Sequence, residues 1–113
     1  MSAPEPFSDI DPATALERVA AGALFVDVRE ADELAQASYD VAGVLHLPLG
    51  ALPDSLDQLP TDRELVIACR SGGRSGRAVQ FLRMEGYERV FNLAGGMLRW
   101  QAEGQPMKGH LPA

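Results

Sequence analysis

A single cysteine lies in the segment VIACRSGGRS (residues 66–75), after an apolar run and directly before a loop of glycine, serine and arginine. Gly72 and Gly73 permit the positive φ angles of a sharp turn. A tight turn that leads into a helix can aim several backbone N–H groups at one point, and such a nest attracts anions. A thiol in that field is expected to be more acidic, because the field stabilises the nucleophilic thiolate. The segment therefore predicts a nucleophilic Cys69 beside an anion site, with a buried structural cysteine as the alternative.

The arginines of the chain are concentrated around this loop. The formal net charge is −6, from 10 basic and 16 acidic residues. Between Arg63 and Arg89, however, six arginines stand against three acidic residues, so this segment is net positive. The overall charge argues against nucleic acid and against an anionic membrane surface as partners. The local charge favours an anionic ligand, and the alternative is a chance group of solvated arginines.

Other kinds of site are not supported by the spacing of the residues. A phosphate-binding Walker loop needs Gly-Lys followed by Ser or Thr, and the dinucleotide pattern Gly-x-Gly-x-x-Gly is absent. A lone cysteine supplies no Cys-x-x-Cys pair for zinc or dithiol chemistry. We therefore expect neither a metal nor a cofactor. His46 is interpreted as a packed or surface residue of a strand, and Gly95-Gly96 as a turn that enters a helix.

Strand-like and helix-like segments alternate along the chain, which predicts an α/β fold with a central, mostly parallel sheet and helices on both faces. The predicted strands are residues 24–28, 44–47, 64–69 and 89–93. The predicted helices are residues 12–21 with Asp11 as N-cap, 29–37, 75–86 and 95–104, with a weak helix inside 50–59. Residues 105–113 are interpreted as a tail. Ligands of such sheets bind beyond the carboxyl ends of the strands, which is where Cys69 lies.

Length and composition predict one domain over residues 1–113, with a folded core at about residues 7–107 between short N- and C-terminal tails. The chain is 46% hydrophobic, as in globular proteins. Its acidic N-terminal segment has no apolar core of the kind found in signal peptides, and no apolar run is long enough to span a membrane. A lone cysteine cannot form an internal disulfide. Together these features favour a cytoplasmic protein.

Four segments, in this order, resemble the rhodanese-like single-domain sulfurtransferases. LFVDVREADEL (24–34) is similar to the Asp-Val-Arg signature and acidic helix of that family, and AGVLHLPL (42–49) to its Gly-Ala-x-x-Ile-Pro segment. CRSGGRS (69–75) matches the Cys-x-x-Gly-x-Arg loop, and GYERVFNLAGGMLRWQAEGQPM (86–107) is similar to the closing strand, Gly-Gly turn and Trp-bearing helix. The resemblance covers nearly the whole chain and implies the rhodanese-like three-layer sandwich.

The resemblance also implies a reaction. Cys69 would take a sulfur atom from a small anionic donor such as thiosulfate, and the resulting persulfide would pass it to cyanide, to a thiol or to a protein acceptor. Backbone N–H groups of the loop would hold the transferred sulfur. The implied substrate-binding residues are Arg70, Ser71, Gly72, Gly73 and Arg74. Asp27 and Arg29 are interpreted as structural braces, and Trp100 as a core residue.

Two positions depart from the pattern of the family. Tyr39-Asp40-Val41 stands where Gly-His-Ile is usual. Ser71 stands where some thiosulfate–cyanide enzymes have lysine, which bears on the preference for thiosulfate.

Two other functions remain open at this point. One is a rhodanese-like binding, redox-sensing or protein-to-protein sulfur-relay module with little turnover. The other is a phosphatase or arsenate reductase on the same fold. Those enzymes have a Cys-x5-Arg loop, whereas here Arg74 is the fifth residue after Cys69 and Ser75 is the sixth. The shorter loop makes a smaller cradle, suited to one sulfur atom better than to a tetrahedral oxyanion.

Overall fold

The computed structural model describes residues 8–112, so the predicted N-terminal tail before residue 7 lies outside the described range. The strands are β1 Asp9–Ile10, β2 Leu24–Asp27, β3 Ala37–Tyr39, β4 Leu45–His46, β5 Leu65–Ala68, β6 Val90–Leu93 and β7 Met107–Gly109. The α-helices are α1 Pro12–Ala20, α2 Ala31–Gln36, α3 Gly73–Met84 and α4 Gly96–Ala102. Two 3₁₀ segments, Leu49–Asp54 and Leu56–Gln58, connect β4 to β5.

The main sheet has five strands in the order β1-β6-β5-β2-β4, and every pairing in it is parallel. β2 and β5 are central, and their register places Asp27 opposite Ala68. On the other side of β2, Asp27 lies opposite His46. Three strands therefore end at the same level of the sheet, and Cys69 follows directly after one of them.

Two hydrophobic cores lie on opposite faces of this sheet, as alternating strand residues require. Phe25 and Val66 face one core with Trp100 of α4 and Ala15 of α1. The neighbouring strand residues face the second core, where α3 and the 3₁₀ segments pack; this core includes Val26, Ile67, Leu52, Ala78 and Leu82. The predicted sheet with helices on both faces is confirmed.

The interpretation of residues 105–113 as a tail is wrong, because this segment packs against the domain. β7 pairs antiparallel with β3, so that Tyr39 lies opposite Met107. Further along, Leu111 is buried, and its N–H donates to Gln101 of α4 at 2.7 Å. This segment covers the aromatic side of the first core, where Tyr39 packs on Trp100 with ring centroids 5.2 Å apart.

Several element boundaries also differ from the prediction, and β1 and β3 were not predicted as strands. The predicted helix 29–37 is shorter, and its last residue belongs to β3. The weak helix within 50–59 is a pair of 3₁₀ segments, the first of which contains Pro53. α3 begins at Gly73 rather than Ser75, because Gly72 adopts φ 102° and turns the chain earlier. None of the helices formed by residues 8–112 combines the length and the hydropathy that a membrane span requires.

Candidate active site

Three hydrogen-bond donors converge on the sulfur of Cys69. The Gly72 N–H lies 3.0 Å from Sγ, the Ser75 N–H 3.4 Å and the Ser75 hydroxyl 3.3 Å. The arrangement follows from the local sequence, because the left-handed turn at Gly72 reverses the chain and places the first turn of α3 over the sulfur. The predicted nest of donors at the start of a helix is therefore present.

These donors stabilise the thiolate of Cys69. Burial has the largest single influence on this thiol and raises its pKa. The hydrogen bonds from the Ser75 hydroxyl and from the N–H groups of Ser75 and Gly72 act in the other direction, and so does the nearby N–H of Ser71. Together they outweigh burial, so the pKa of Cys69 lies below the ordinary value of a cysteine. A thiol with a lowered pKa is a better nucleophile near neutral pH.

The Cys69 side chain is fully buried, and so is that of Ser75. Burial alone is compatible with a structural cysteine, but an inert cysteine packs among apolar groups. Here the sulfur accepts from two backbone donors and one hydroxyl on the side that faces the loop. Ser75 was not among the predicted site residues, although a hydroxyl in the first helical turn after the cysteine is visible in the sequence.

Arg74, the last residue of the predicted loop and the second residue of α3, forms an ion pair with Glu33 of α2. Nη1 and Nη2 of the guanidinium lie 2.7 and 2.8 Å from the two carboxylate oxygens, and both side chains are mostly buried. The hydrogen bond from Arg74 is the main reason that the pKa of Glu33 falls to about 2, and the same bond raises the pKa of Arg74. Arg74 thus ties the loop to a neighbouring helix. Its partner was not predicted.

The remaining predicted loop residues are more open to solvent. Arg70, Ser71 and Gly73 are exposed, and Gly72 is half-buried. Within residues 8–112, the Arg70 guanidinium takes part in no ion pair. The backbone of Arg70 is held, however, because its carbonyl accepts from the Leu98 N–H at 3.1 Å. Of the five predicted binding residues, Gly72 therefore contacts the sulfur, Arg74 is held by Glu33, and Arg70, Ser71 and Gly73 are open to solvent.

Gly96 lets α4 approach the loop closely. This residue has φ 56°, and a Cβ atom added to it would lie 2.5 Å from the carbonyl carbon and oxygen of Arg70. It would also lie 2.6 Å from the Ser71 nitrogen. A side chain at this position would displace the loop backbone. The Gly95-Gly96 pair was interpreted only as a turn that enters a helix, so its contact with the loop was missed.

The backbone carbonyl of Cys69 is fixed from the opposite side of the loop. It accepts from the Met97 N–H at 3.0 Å and from the Tyr39 hydroxyl. Burial is the main reason that the pKa of Tyr39 is raised, which keeps this phenol protonated as a donor. Tyr39 belongs to the segment that departs from the family pattern. In this chain the departure supplies a hydrogen bond to the cysteine itself.

Asp27 and Arg29 form a buried ion pair next to the loop. Arg29 Nη2 lies 2.8 Å from Asp27 Oδ2 and also donates to the Ala37 carbonyl at 3.0 Å. The Arg29 N–H and Nε donate to Asp27 Oδ1 at 3.0 and 3.1 Å. The neighbouring His46 donates from Nε2 to the Arg29 carbonyl at 2.6 Å. These contacts are those of structural braces, as predicted.

Comparison with known proteins places the chain in a family. Residues 11–103 match the rhodanese-like domain family. A sulfurtransferase from Allochromatium vinosum is 42% identical over 84 residues, which are 74% of this chain and 77% of that protein. The thiosulfate sulfurtransferase GlpE from Ectopseudomonas mendocina is 31% identical over 96 residues, covering 85% of this chain and 86% of that protein.

A solved structure supports the same assignment. The crystal structure of a rhodanese-related protein from Thermoplasma volcanium superimposes with a TM-score of 0.79 at 31% identity. The superposition covers 88% of this chain and 96% of that one. Fold, loop and relatives agree, and they support sulfur transfer at the level of the family. The chain belongs to the rhodanese-like domain family.

Proposed function

We propose that the protein is a thiosulfate-type sulfurtransferase in which Cys69 carries the transferred sulfur as a persulfide. The observation that supports this most strongly is the convergence of three donors on the only cysteine of the chain. Hydrogen-bond donors that point at a sulfur favour its anionic form. Relatives that transfer sulfur give the second support.

The first step is a displacement at sulfur. The Cys69 thiolate attacks the outer sulfur of thiosulfate, a new S–S bond forms at Sγ, and the S–S bond of the donor breaks. Sulfite leaves with the bonding electron pair, and the negative charge now resides on the terminal sulfur of the Cys69 persulfide. In this proposal the loop N–H groups of residues 70–74 stabilise that charge.

The second step returns the cysteine to its starting state. A thiolate or cyanide attacks the terminal sulfur, the S–S bond of the persulfide breaks, and Cys69 leaves as the thiolate. The products are a new persulfide or thiocyanate. No oxidant or external proton is needed, because in each step an anionic nucleophile displaces an anionic leaving group, sulfite in the first step and the Cys69 thiolate in the second. The two half-reactions make a double displacement with ping-pong kinetics.

The partner of Arg74 argues against phosphatase or arsenate reductase chemistry. Both terminal nitrogens of its guanidinium are engaged by the Glu33 carboxylate, so it is not free to hold a tetrahedral oxyanion. The loop is also one residue shorter than the Cys-x5-Arg pattern. Both features favour a sulfurtransferase, in which backbone groups stabilise the sulfur, over an enzyme in which an arginine holds an oxyanion.

The burial of Cys69 favours small reactants. A sulfur atom without exposed surface is more easily reached by thiosulfate, by a low-molecular-weight thiol or by cyanide than by a folded partner. We therefore place a small anionic donor and a small thiol acceptor ahead of a protein-to-protein relay. A lone cysteine that must stay reduced between turnovers also suits the reducing cytoplasm.

The experiment follows one sulfur atom through both half-reactions. The protein is incubated with thiosulfate, desalted and analysed by intact mass, and released sulfite is measured. We expect a mass gain of one sulfur on Cys69, one sulfite released per sulfur gained, and loss of the added mass when a thiol or cyanide follows. Cys69→Ala should show none of these while its melting temperature stays near that of the unmodified protein. Sulfur transfer by that variant near the original rate would overturn the proposal.

Steady-state turnover separates an enzyme from a relay module. Repeated turnover with thiosulfate and a small thiol supports the enzyme. A persulfide that forms with thiosulfate but is not discharged by small thiols or cyanide would favour the relay module and contradict the proposed acceptor class.

A further inference from the structure

The hydroxyl of Ser75 faces two acceptors but has one proton to donate. Its oxygen lies 3.3 Å from Cys69 Sγ and 2.5 Å from Asn92 Oδ1. Ser75 is fully buried and Asn92 is nearly so. A serine hydroxyl donates a single hydrogen bond and can accept others. It can therefore serve the sulfur or the amide oxygen at any moment, but not both.

The orientation of the Asn92 amide is determined by its other contacts. Its Nδ2 donates to Asp9 Oδ1 at 3.2 Å and to the Gly72 carbonyl at 3.3 Å. The opposite orientation would point the amide oxygen at a carboxylate and a carbonyl, which are both acceptors. The amide oxygen is therefore held toward Ser75 as a fixed acceptor.

The Asn92–Ser75 contact is built into the fold. Asn92 is on β6, which lies between β1 and β5, and its Cα pairs with Ile67 on one side and with Asp9 on the other. The strand next to the cysteine thus delivers an acceptor to the hydroxyl that contacts the sulfur. The same amide braces the Gly72 carbonyl, on the residue whose N–H donates to Sγ.

We propose that Asn92 is a positioning residue that competes with the Cys69 sulfur for the Ser75 proton, so that the hydroxyl turns between them as the charge on Sγ changes. This inference rests on the proposed function for its place in the reaction. While Sγ is the thiolate, Ser75 donates to it and the Asn92 oxygen loses its donor. Once a sulfur is attached, the charge has moved to the terminal sulfur, Sγ is a weak acceptor, and Ser75 donates to Asn92.

The competition has a chemical consequence. A buried acceptor that loses its donor costs free energy, and this cost falls on the thiolate state. Asn92 therefore destabilises the free thiolate and is satisfied again in the persulfide. The change requires only rotation of the Ser75 hydroxyl hydrogen, and no covalent bond is made or broken. The residue shifts the balance between the two states of Cys69 toward the sulfur-loaded one.

The charged and titratable groups around the loop all remain when Ser75 or Asn92 is changed, although Asn92→Leu removes the Nδ2 donor to one of them, Asp9. They are Arg70 and Arg74 in the loop, Glu33 on α2, Asp27 and Arg29 at the end of β2, Tyr39 on β3, His46 on β4 and Asp9 on β1. Changes at Ser75 therefore report on neutral hydrogen bonding to the sulfur, and changes at Asn92 report in addition on its contacts with Asp9 and the Gly72 carbonyl.

The test compares two substitutions that should act in opposite directions. Alkylation of Cys69 by iodoacetamide is measured against pH, without any sulfur donor. Ser75→Ala removes the donor, so the midpoint should rise and the rate below the midpoint should fall about fivefold. Asn92→Leu removes the competing acceptor, so the midpoint should fall and that rate should rise by a similar factor. Loosening of the loop would move both variants in the same direction, toward a higher midpoint, and that result would overturn the inference.

A measurement on the unsubstituted protein keeps the inference testable if Asn92→Leu does not fold. The side-chain amide resonances of Asn92 are followed by NMR through the ionisation of Cys69. They should shift with the alkylation midpoint, and this shift should be lost in Ser75→Ala. Asn92 resonances that ignore the ionisation, or that follow it equally well without the Ser75 hydroxyl, would overturn the inference.

The two proposals fail in different experiments. If Cys69 does not gain a sulfur from thiosulfate, the proposed function fails, whatever the alkylation midpoints are. If sulfur transfer occurs but the two substitutions do not move the midpoint in opposite directions, only the competition for the Ser75 proton fails.

Discussion

Two neighbouring connections leave the carboxyl edge of the sheet, and they differ in how their polar groups are satisfied. The first leads from β2 to α2 and carries Asp27 and Arg29. The second leads from β5 to α3 and carries the loop from Cys69 to Gly72. β2 and β5 are adjacent parallel strands in register, so the two connections start at the same level. Position in the fold is therefore not what distinguishes them.

In the first connection the charged groups of Asp27 and Arg29 bond to each other. The carboxylate of Asp27 accepts from the backbone and guanidinium of Arg29, and both side chains are fully buried. In the second connection two N–H groups and a hydroxyl point at a single sulfur. A sulfur that receives three hydrogen bonds has more donors than a neutral thiol requires, so the same donors can stabilise a negative charge. An excess of donors, rather than burial or position, distinguishes the connection to which we assign the chemistry.

The largest effect should be on stability, from breaking the buried ion pair between Asp27 and Arg29. Asp27→Ala leaves the Arg29 guanidinium buried without its carboxylate, which costs about 3–5 kcal/mol of stability. Urea unfolding measures this loss, and Asp32→Ala on the exposed first turn of α2 is the matched control, expected within about 0.5 kcal/mol. A change at Asp27 no larger than that of the control would show that the buried pair is not what holds this connection.

The next effect concerns the contact between α4 and the loop. Gly96→Ala places a Cβ 2.5 Å from the Arg70 backbone, so the loop must move. Displacement of catalytic groups by about 1 Å can cost roughly a hundredfold in rate, and we expect a fall in kcat of that order. Gly104→Ala is the control, since Gly104 also has a positive φ, 72°, but has nothing within 4 Å of its added Cβ.

The Gly104 control separates backbone strain from displacement of the loop. Both substitutions should lower the melting temperature, because both force alanine into the left-handed region. Only Gly96→Ala should lower kcat. An equal loss of kcat in the two variants would show that Gly96 does not position the loop.

A smaller effect is expected from releasing the ion pair of Arg74. Arg74→Ala frees the end of the loop from Glu33, and we expect kcat to fall about tenfold while KM for thiosulfate changes little. Arg77→Ala, on an exposed position of α3, is the control. If KM rises instead and kcat is unchanged, Arg74 binds the donor rather than fixing the loop.

The same ion pair makes an acid-sensitive contribution to stability. The pKa of Glu33 is depressed to about 2 in the folded protein, so its contribution is fully present above the unfolded pKa of a glutamate, about 4.3. The contribution is lost as pH falls toward 2. As pH falls from about 4.3 to about 2, the stability difference between the unmodified protein and Glu33→Gln should therefore shrink. Urea titrations at several pH values would measure this difference.

The smallest effect should come from Arg70, whose side chain is exposed and unpaired within residues 8–112. Arg70→Ala should raise KM for thiosulfate a few-fold at low salt and leave kcat nearly unchanged, because an exposed charge contributes uniform binding. The effect should shrink at physiological ionic strength, where the screening length is about 8 Å. An unchanged KM at low salt would mean that Arg70 does not attract the donor.

The sequence was sufficient for features that depend on neighbouring residues. Alternating strands and helices are encoded in local apolar runs, and the cysteine loop is encoded in a few consecutive residues. The N-cap of α1 is a further example, since the Asp11 carboxylate accepts from the Thr14 N–H at 2.7 Å, three residues on. Such features follow from short-range geometry, so they can be predicted from one chain.

The unpredicted features join residues that are far apart in sequence. Glu33 and Arg74 are separated by 41 positions, and Ser75 and Asn92 by 17. β7 pairs with β3 although the segment around it looked like a tail, because a short strand with polar residues carries little periodic signal. Which acid meets which arginine depends on the order of strands in the sheet, and local pattern does not determine that order.

The proposed chemistry depends on loop donors that favour the thiolate of Cys69. The most direct test is the thiolate absorbance of the unmodified protein, measured against pH with Cys69→Ala as the blank. Because the chain has one cysteine, the difference belongs to Cys69 alone. The convergent hydrogen bonds lower its pKa, so the midpoint should lie below the value measured in the same way for a free cysteine in a peptide. A midpoint at or above that value would mean that burial outweighs the donors, and it would contradict the role assigned to the loop.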